Sequence, residues 1–307
     1  MAVTVTQLVA FLKTLQCGSV TAAAADLVVT QPSVSAAINA LEREVGVPLM
    51  ERDGRGLRPT AAGEAYAAYA KDVLGLLDQG ARAAREAQEE AARTLRIGAV
   101  TTAGEHLVAP LVRVFREAHP ELEIMLHVGN RANVFERLVA HDIDVAITGR
   151  LPEHLPVRGE RFAANDFVLI ASPTDPLASR STVSVAELRD RAWLLREPGS
   201  GTRTLSEEYL AGHDLRPRTV TLGSNGAIKQ AVALGLGIAL QSRFAVQLEL
   251  EVGMLALIRP REGLPRRGWH IVYSAVGPTR KEVSAFVEFA QSRAAQQALN
   301  RALRSGH

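Results

Sequence analysis

Residues 18–63 have the sequence GSVTAAAADLVVTQPSVSAAINALEREVGVPLMERDGRGLRPTAAG. Ser19 and Thr30 are suited to begin two short helices, because each hydroxyl can accept a hydrogen bond from an otherwise unpaired backbone N–H group. Pro32 is tolerated in the first turn of the second helix, where its missing N–H would have had no partner. The apolar positions of that helix follow at helical spacing: Val34, Ile38, Leu41 and Val45. The stretch therefore predicts a helix-turn-helix.

The segments on either side complete a small N-terminal domain. An amphipathic pattern from Thr6 to Gln16 predicts a preceding helix that stops at Gly18. Residues 50–60 contain two short extended arms around a glycine turn, which is typical of a small hairpin wing. We therefore expect a winged helix-turn-helix domain over residues 1–60.

A long helix is predicted from Ala61 to Arg93. The segment contains no proline, and apolar residues follow one helix face: Ala65, Tyr69, Val73, Leu76, Leu77, Ala81 and Ala84. A helix of roughly 30 residues cannot bury such a face against itself, so we expect it to pair with the same helix of a second subunit. Packing of this helix on its own domain is the alternative.

Strands and helices alternate beyond Arg93, which is typical of an α/β domain. The predicted strands are 95–100, 123–128, 145–148, 167–171, 193–196, 219–222, 238–241 and 269–274. The predicted helices are 106–118, 134–140, 202–211, 227–233 and 279–298. The expected fold class is α/β, with a two-lobed domain over 94–307. Lobe I comprises 94–161 and 268–307, and lobe II comprises 162–267.

Composition excludes several classes of protein. Of the 307 residues 47% are hydrophobic, which is too many for a disordered chain. Cys17 is the single cysteine, which excludes a disulfide framework or a cysteine-based zinc site within one chain and suits a reducing compartment. The sequence shows neither a signal-peptide pattern at its start nor the roughly 20 consecutive apolar residues of a membrane span. We expect a soluble cytoplasmic protein with no membrane partner.

Motifs for nucleotide hydrolysis and metal binding are absent from the sequence. Neither Gly199–Arg203 nor Gly223–Lys229 ends in the Gly-Lys-Ser/Thr of a P-loop, and Gly235-x-Gly237 lacks the third glycine of a dinucleotide fingerprint. The eight histidines show no metal-ligand spacing, so no metal is expected. We expect a protein that is not an enzyme and requires no cofactor.

The N-terminal motifs closely resemble those of the LysR-type transcriptional regulators. These motifs are Gly18-Ser19, Ala22–Ala25, Gln31–Ser35, Ile38, Leu41-Glu42, Gly46, Leu49, Arg52 and Pro59–Gly63. The resemblance covers the whole chain, because that family combines a winged helix-turn-helix, a long linker helix and a two-lobed α/β effector-binding domain resembling periplasmic binding proteins. Met50 replaces the family's usual phenylalanine, and both side chains fill a core.

Segments of the effector half are similar to the CbbR group of LysR-type regulators, which control the RuBisCO operon of the Calvin cycle. These segments are Gly129–Arg131, Val134–Leu138, Asp144–Arg150, Arg196–Arg203 and Leu222–Val232. The resemblance implies reduced NADP or a phosphorylated metabolite as a possible effector. Regulators of sulfur assimilation and of anion uptake carry similar segments, so control of sulfur or other anion metabolism is the alternative.

The helix-turn-helix and the wing are the expected DNA-binding elements. Residues at the start of a recognition helix face base edges in the major groove, and arginines on a hairpin can enter a minor groove. The DNA-binding residues predicted on this basis are Thr30, Gln31, Ser33, Ser35, Arg52, Arg55 and Arg58. Thr30 and Ser33 taken alone would be better explained as helix caps, and it is the wing beside them that favours DNA binding. Residues 1–60 carry five basic and five acidic side chains, so tight binding to DNA is expected to need several subunits.

An anion site is predicted where the strands of the effector domain end. Gly199–Arg203 lies between a predicted strand and a predicted helix, where glycines permit close approach and free N–H groups favour an anion. The carboxyl ends of strands converge in open α/β sheets. The effector-binding residues predicted on this basis are Thr101, Thr102, Asn130, Thr148, Gly149, Ser200, Gly201, Thr202, Arg203 and Asn225. Taken singly, each polar strand end is better explained as a helix cap, and it is their combination that favours an anion site.

These features predict a regulator that binds a double-stranded DNA operator and an anionic small-molecule effector. The linker helices are expected to form a homodimer, and the effector domains are expected to pair dimers into a homotetramer. A solute-binding module with a helical head is the alternative from another class. The missing signal-peptide pattern and the Gln31-Pro32-Ser33 helix start both oppose that alternative.

Overall fold

The computed structural model describes residues 3–54, 56–88 and 93–304. These residues form two compact units that divide at residue 90, with residues 139–141 grouped with the first unit.

The first unit is a helix-turn-helix with a wing, followed by a long helix, as predicted. Its elements are α1 Val5–Cys17, α2 Val20–Asp26, α3 Gln31–Val45, β1 Met50–Asp53, β2 Gly56–Pro59 and α4 Ala61–Gln88. Ser19 and Thr30 cap α2 and α3, because their side chains accept hydrogen bonds from the N–H groups of Ala22 and Ser33. Leu8, Phe11, Leu41 and Leu49 are buried in the core between the helices.

Contacts with the backbone of Leu49 and Met50 hold the start of the wing against α3 and α4. Glu42, in α3, accepts hydrogen bonds from the N–H groups of Leu49 and Met50 through its Oε1 atom, at 2.8 and 3.0 Å. Gly63, in α4, approaches the wing so closely that an added Cβ would lie 1.9 Å from the Leu49 carbonyl oxygen. Because of this approach, only glycine fits at position 63.

The end of the long helix differs from the prediction. Helix α4 is described as far as Gln88, and residues 89–92 lie outside the described residues. Arg93, the predicted last residue of the helix, is the first residue of a strand and pairs with Leu122. Strand pairing therefore overrides the helix-forming composition at this position.

The second unit is an α/β domain, as predicted. Its helices are α5 Thr101–His106, α6 Val108–Ala118, α7 Arg131–Val139, α8 Gly201–Gly212, α9 Asn225–Ala233, α10 Arg243–Glu251, α11 Lys281–Gln291 and α12 Arg293–Arg304. Its strands are β3 Arg93–Val100, β4 Leu122–Gly129, β5 Val145–Thr148, β6 Val157–Ala171, β7 Trp193–Leu195, β8 Thr219–Thr221, β9 Ala239–Ser242, β10 Ala256–Ile258 and β11 Arg266–Ser274.

The long strand β6 runs through both lobes. The main sheet has the order β10-β6-β11-β5-β3-β4, and β9 also pairs with β6. Residues 157–166 of β6 pair antiparallel with β11 in lobe I, while residues 167–171 continue into lobe II and pair with β9 and β10. The predicted lobe boundaries at 161/162 and 267/268 fall inside β6 and β11.

Each lobe has its own core of mainly aliphatic side chains. In lobe I the sheet residues Ile97 and Ile147 are fully buried against helix residues such as Phe115 and Phe286. In lobe II Leu169 and Trp193 are fully buried in one of two apolar clusters. Separate cores let the polar ends of the strands face the region between the lobes.

Several elements differ from the sequence prediction of this domain. The first ten residues of β6 were not predicted, because their polar side chains lack the expected apolar alternation and are stabilised by pairing with β11. Helix α10 and strand β10 were likewise missed. The predicted helix 279–298 is two helices, α11 and α12, because Ser292 is extended and its Oγ accepts a hydrogen bond from the N–H of Ala295.

None of the described helices is by itself long and apolar enough to cross a bilayer. Helices α1 and α2 together have sufficient length and apolar composition, but they are bent by 116° with respect to each other.

Val28 occupies the turn of the helix-turn-helix in a backbone conformation that favours glycine. The N–H groups of Val28 and Val29 donate to the carbonyl oxygens of Ala25 and Ala24, the paired bonds of a Schellman motif. Val28 has a φ of 55°, and 90% of its surface is exposed. A β-branched side chain in this region is strained, and its exposure means that little packing compensates.

Replacing Val28 by glycine is therefore expected to stabilise the protein. The free energy of unfolding should rise by about 1 kcal/mol, because the left-handed conformation costs roughly 1–2 kcal/mol for a residue with a Cβ and the freedom of glycine in the unfolded chain offsets part of this gain. Urea unfolding of the full chain measures the change. Val29→Gly is the matched control and should destabilise, since Val29 is not among the described residues with positive φ. A loss of stability in Val28→Gly would contradict the assignment of strain.

Candidate DNA-binding surface and effector cavity

The start of α3 presents polar side chains to solvent. Gln31 and Ser33 are exposed and Ser35 is half-buried. The Thr30 and Ser33 hydroxyls lie 2.8 Å apart, and Thr30 also caps the helix, so part of their hydrogen-bonding capacity is used locally. The Gln31 amide carries both a donor and an acceptor and can pair with the edge of adenine.

The wing holds its arginines in two different environments. Arg58 forms an ion pair with Glu51, its partner across the hairpin, at 2.8 Å. Arg52 is exposed and lies opposite Leu57, whose side chain is neutral. Arg55 lies outside the described residues. Arg52 is therefore better placed than Arg58 to meet a phosphate or a groove, because Glu51 already neutralises Arg58.

A cavity with about 530 Å³ of empty space lies between the two lobes of the second unit. Eight of the ten predicted effector residues line it: Thr101, Thr102, Asn130, Thr148, Gly149, Ser200, Gly201 and Thr202. They come from the ends of β3, β4 and β5 and from the start of α8. Parallel pairing of β3 with β4 and β5 brings these strand ends to one edge of the sheet.

The two other predicted residues lie behind this lining. Arg203 donates to Glu207 at 2.8 Å and to the carbonyl oxygen of Arg196 at 3.0 Å, and does not line the cavity. Asn225 is buried, accepts a hydrogen bond from Arg196 and donates to the Thr102 hydroxyl at 3.1 Å. The charge expected from Arg203 is therefore supplied by other arginines, and Asn225 positions Arg196.

Four arginines of the cavity wall were missed by the sequence analysis. They are Arg131, Arg150, Arg196 and Arg267, and the other missed lining residues are Val100, Phe167, Ser242 and Trp269. Arg131 and Arg150 directly follow the predicted residues Asn130 and Gly149, so their positions in the sequence contained a signal. Arg267 and Trp269 reach the site through the pairing of β11, which the sequence pattern did not define.

Buried polar groups in this wall lack partners within the chain. The Thr148 hydroxyl and the Trp269 indole N–H have no hydrogen-bond partner among the described residues, although both residues are almost fully buried. Ser200 begins α8 without using its hydroxyl as a cap. A buried unpaired polar group costs roughly 1–3 kcal/mol, so a ligand with acceptor oxygens would stabilise this arrangement.

The charges at the wall favour an anion. Burial lowers the pKa of Arg131, and repulsion by Arg150 and Arg267 lowers it further. Burial likewise lowers the pKa of Arg267, against the opposing effect of Glu208. Arg196 is largely neutralised by Glu197, at 2.8 and 3.0 Å.

The described residues contain no group of three or more metal-ligating side chains.

Comparison with known proteins places both halves of the chain. Residues 5–64 match the bacterial regulatory helix-turn-helix proteins of the lysR family, and residues 88–295 match the LysR substrate binding domain. The HTH-type transcriptional activator CmpR of Synechocystis sp. is 36% identical over 258 residues, which cover 83% of this chain and 84% of that protein. The RuBisCO operon transcriptional regulator of Acidithiobacillus ferrooxidans is 35% identical over 269 residues, which cover 87% and 86%.

A solved structure supports the assignment of the second unit. The regulatory domain of Synechocystis PCC6803 CcmR, in complex with 2-PG, is 30% identical with a TM-score of 0.61 and covers 64% of this chain and 95% of that chain. The alternative of a solute-binding module does not account for the match of the helix-turn-helix. The chain therefore belongs to the LysR family of transcriptional regulators.

Proposed function

We propose that this LysR-type regulator controls genes of carbon fixation in response to an anionic metabolite bound between the lobes of its effector domain. The observation that carries the proposal of an anion is the cavity wall, where the Thr148 hydroxyl, the Trp269 N–H and the Arg131 Nε are buried without a hydrogen-bond partner among the described residues. The similarity to a RuBisCO operon regulator supports the target genes. We propose no catalytic step.

Binding to the operator is proposed to use the start of α3 and the wing. Gln31, Ser33 and Arg52 are the exposed residues best placed for base or groove contacts. With five basic and five acidic side chains in residues 1–60, non-specific attraction to phosphates is weak. Specific affinity then depends on simultaneous contact by several subunits.

Alanine at Gln31, Ser33 or Arg52 is expected to weaken operator binding without unfolding the protein. A bidentate contact with a base contributes about 1–3 kcal/mol of discrimination, so Gln31→Ala should show the larger loss and should relax specificity. Mobility-shift titrations beside thermal melts measure both effects. Arg113→Ala, which removes an exposed charge outside the first unit, is the control for net charge. Wild-type affinity in all three variants would remove the assignment.

Dimerisation is proposed to use the apolar face of α4. Within one subunit Tyr69 is 71% exposed, Val73 46% and Leu77 54%, at helical spacing on one face. Large apolar side chains exposed in a row are typical of a helix that pairs with another helix. We propose the same helix of a second subunit as the partner.

Pairing of effector domains is proposed to turn dimers into a homotetramer. Met125, Leu126 and Val128 are exposed on β4, which lies at an edge of the main sheet. Leu234 and Leu248 are exposed in lobe II. These surfaces are available for a second effector domain, and the resulting assembly would hold four helix-turn-helix units for contact with DNA.

Replacing Val73 and Leu77 together by aspartate is expected to separate the α4 pair. Two buried charges without partners would oppose association, so light scattering should report a smaller species. The matched control carries Ala68→Asp and Lys71→Asp, at exposed positions off this face, and should keep the native size. An unaltered oligomer in the first variant would show that α4 packs elsewhere.

A phosphorylated metabolite is the proposed effector, with reduced NADP as the second candidate. Neutral donors from both lobes line the cavity, and phosphate oxygens can satisfy several of them at once. The space of about 530 Å³ includes the mouth, so it favours a compact metabolite over a dinucleotide. Sulfate can accept hydrogen bonds from the neutral donors without contacting the arginines. Binding of sulfate would therefore favour the alternative of a regulator of sulfur metabolism.

Ser200→Ala combined with Thr202→Val is expected to abolish the effector response while leaving DNA binding intact. Each lost neutral hydrogen bond costs roughly 0.5–1.5 kcal/mol, so affinity should fall about tenfold or more. Calorimetry with ribulose bisphosphate, phosphoenolpyruvate, reduced NADP and sulfate separates the candidates, with one ligand expected per subunit.

The control for this variant is Thr219→Val, which removes an exposed hydroxyl of lobe II outside the cavity lining. It should bind as the wild type does. If none of the candidates binds below millimolar concentration, the proposal of a Calvin-cycle effector is wrong. The assignment of the DNA-binding residues would be unaffected.

A further inference from the structure

Glu208 forms ion pairs with two arginines of the effector cavity. Its carboxylate lies in α8, with Oε1 3.2 Å from Nη1 of Arg150 and Oε2 2.6 Å from Nη2 of Arg267. Arg150 follows β5 of lobe I, and Arg267 lies in β11. One carboxylate thus receives donors from two guanidinium groups, as an oxyanion of a ligand would.

These arginines also line a second cavity, which adjoins the first. It has about 590 Å³ of empty space and shares Arg131, Arg150, Gly201 and Arg267 with the effector cavity. We call the space between Arg150 and Arg267 the outer position. The space beside Thr148 and Ser200 is called the inner position.

Charge at the outer position is not balanced among the described residues. Arg131, Arg150 and Arg267 face two carboxylates, those of Glu208 and of the largely exposed Glu153, which lies 3.3 Å from Arg150. Arg131 has a buried Nε without a hydrogen-bond partner and stacks over Phe135 at 5.0 Å. A further anionic group would therefore be attracted to this position even with Glu208 in place.

We propose that Glu208 is a resident counter-ion of the outer position, which an anionic group of the effector displaces when it binds. The inference rests on the proposed function, because it assumes that the inner position holds another part of the same ligand. It assigns the effector to molecules with two separated anionic groups, one for each position.

The exposures of the Arg267 and Glu208 side chains make this exchange feasible. The Arg267 side chain is only 16% exposed and needs a counter-charge, whereas that of Glu208 is 47% exposed and can return to water when displaced. A half-exposed ion pair contributes little net free energy, so a ligand group loses little by replacing it. Phosphate or carboxylate oxygens can accept from both guanidinium groups in the geometry that Glu208 now uses.

Competition with Glu208 also provides selectivity. An anion that occupies the inner position alone leaves the Glu208 ion pairs intact and gains nothing from Arg150 and Arg267. A ligand with a second anionic group gains these contacts only to the extent that it binds the arginines better than Glu208 does. Glu208 therefore limits the affinity that a ligand gains from the outer position, and a ligand with a single anionic group gains none of it.

The test compares the full-length protein with Glu208→Gln, using inorganic phosphate and pyrophosphate as probes in calorimetry at low ionic strength. Removing the competing charge should tighten pyrophosphate binding by about two- to fivefold, the range expected for a half-exposed ion pair. Glu207→Gln is the matched control, because Glu207 is the adjacent residue of α8 and pairs with Arg203, behind the cavity lining. It should leave pyrophosphate affinity unchanged.

A second variant separates competition from a structural effect. Adding Arg150→Gln to Glu208→Gln should cancel the gain in affinity, since the arginine freed by the first change is then absent. Unchanged or weaker pyrophosphate binding by Glu208→Gln, or no binding by it at millimolar pyrophosphate, would overturn the inference. Failure of the proposed function would give a different set of results. Glu208→Gln would still gain affinity for pyrophosphate, but none of the candidate metabolites would bind the wild type. Ser200→Ala combined with Thr202→Val would then leave the effector response unchanged.

Discussion

The pairing of β6 with β11 is the interaction on which the effector domain depends. Nine residue pairs join the two strands, from Arg266 opposite Asp166 to Ser274 opposite Val157. Because β6 then continues into lobe II, the same ladder positions both lobes and leaves a cavity between their separate cores. The register shifts between Trp269 and His270, where Trp269 lines the cavity, and such irregularities commonly redirect side chains near binding sites.

Neutral hydrogen-bond donors and charged groups occupy different parts of that cavity. Neutral donors such as Thr148 and Ser200 lie where the strands and α8 meet, and they can discriminate by geometry at little cost in desolvation. The charged groups Arg150 and Arg267 lie toward the second cavity, where Glu208 limits their attraction for arbitrary anions. Strong charge alone would bind any polyanion, whereas neutral donors alone would bind weakly.

Positive charge is also balanced by carboxylates in the DNA-binding unit. Glu51 neutralises Arg58 in the wing, and residues 1–60 have no net formal charge, so a single unit attracts DNA weakly. In the proposed assembly, binding depends on how many units contact the operator together and at what spacing. An effector that changes the arrangement of subunits can change operator affinity without touching the DNA-binding residues, since differential binding to two arrangements shifts their populations.

The sequence by itself determined the elements whose signals are local. Ser19, Thr30 and Pro32 mark helix starts through hydrogen bonds within three residues, and apolar spacing identified α3, α4 and the buried strands. The strand ends also indicated eight of the ten residues expected in the cavity. Only the tertiary structure decided the features that join distant segments: the polar half of β6, the direction of Arg203, and the meeting of Arg150, Glu208 and Arg267. Each of these depends on contacts across the sheet or between lobes. Such contacts produce no periodic pattern of apolar residues in the sequence.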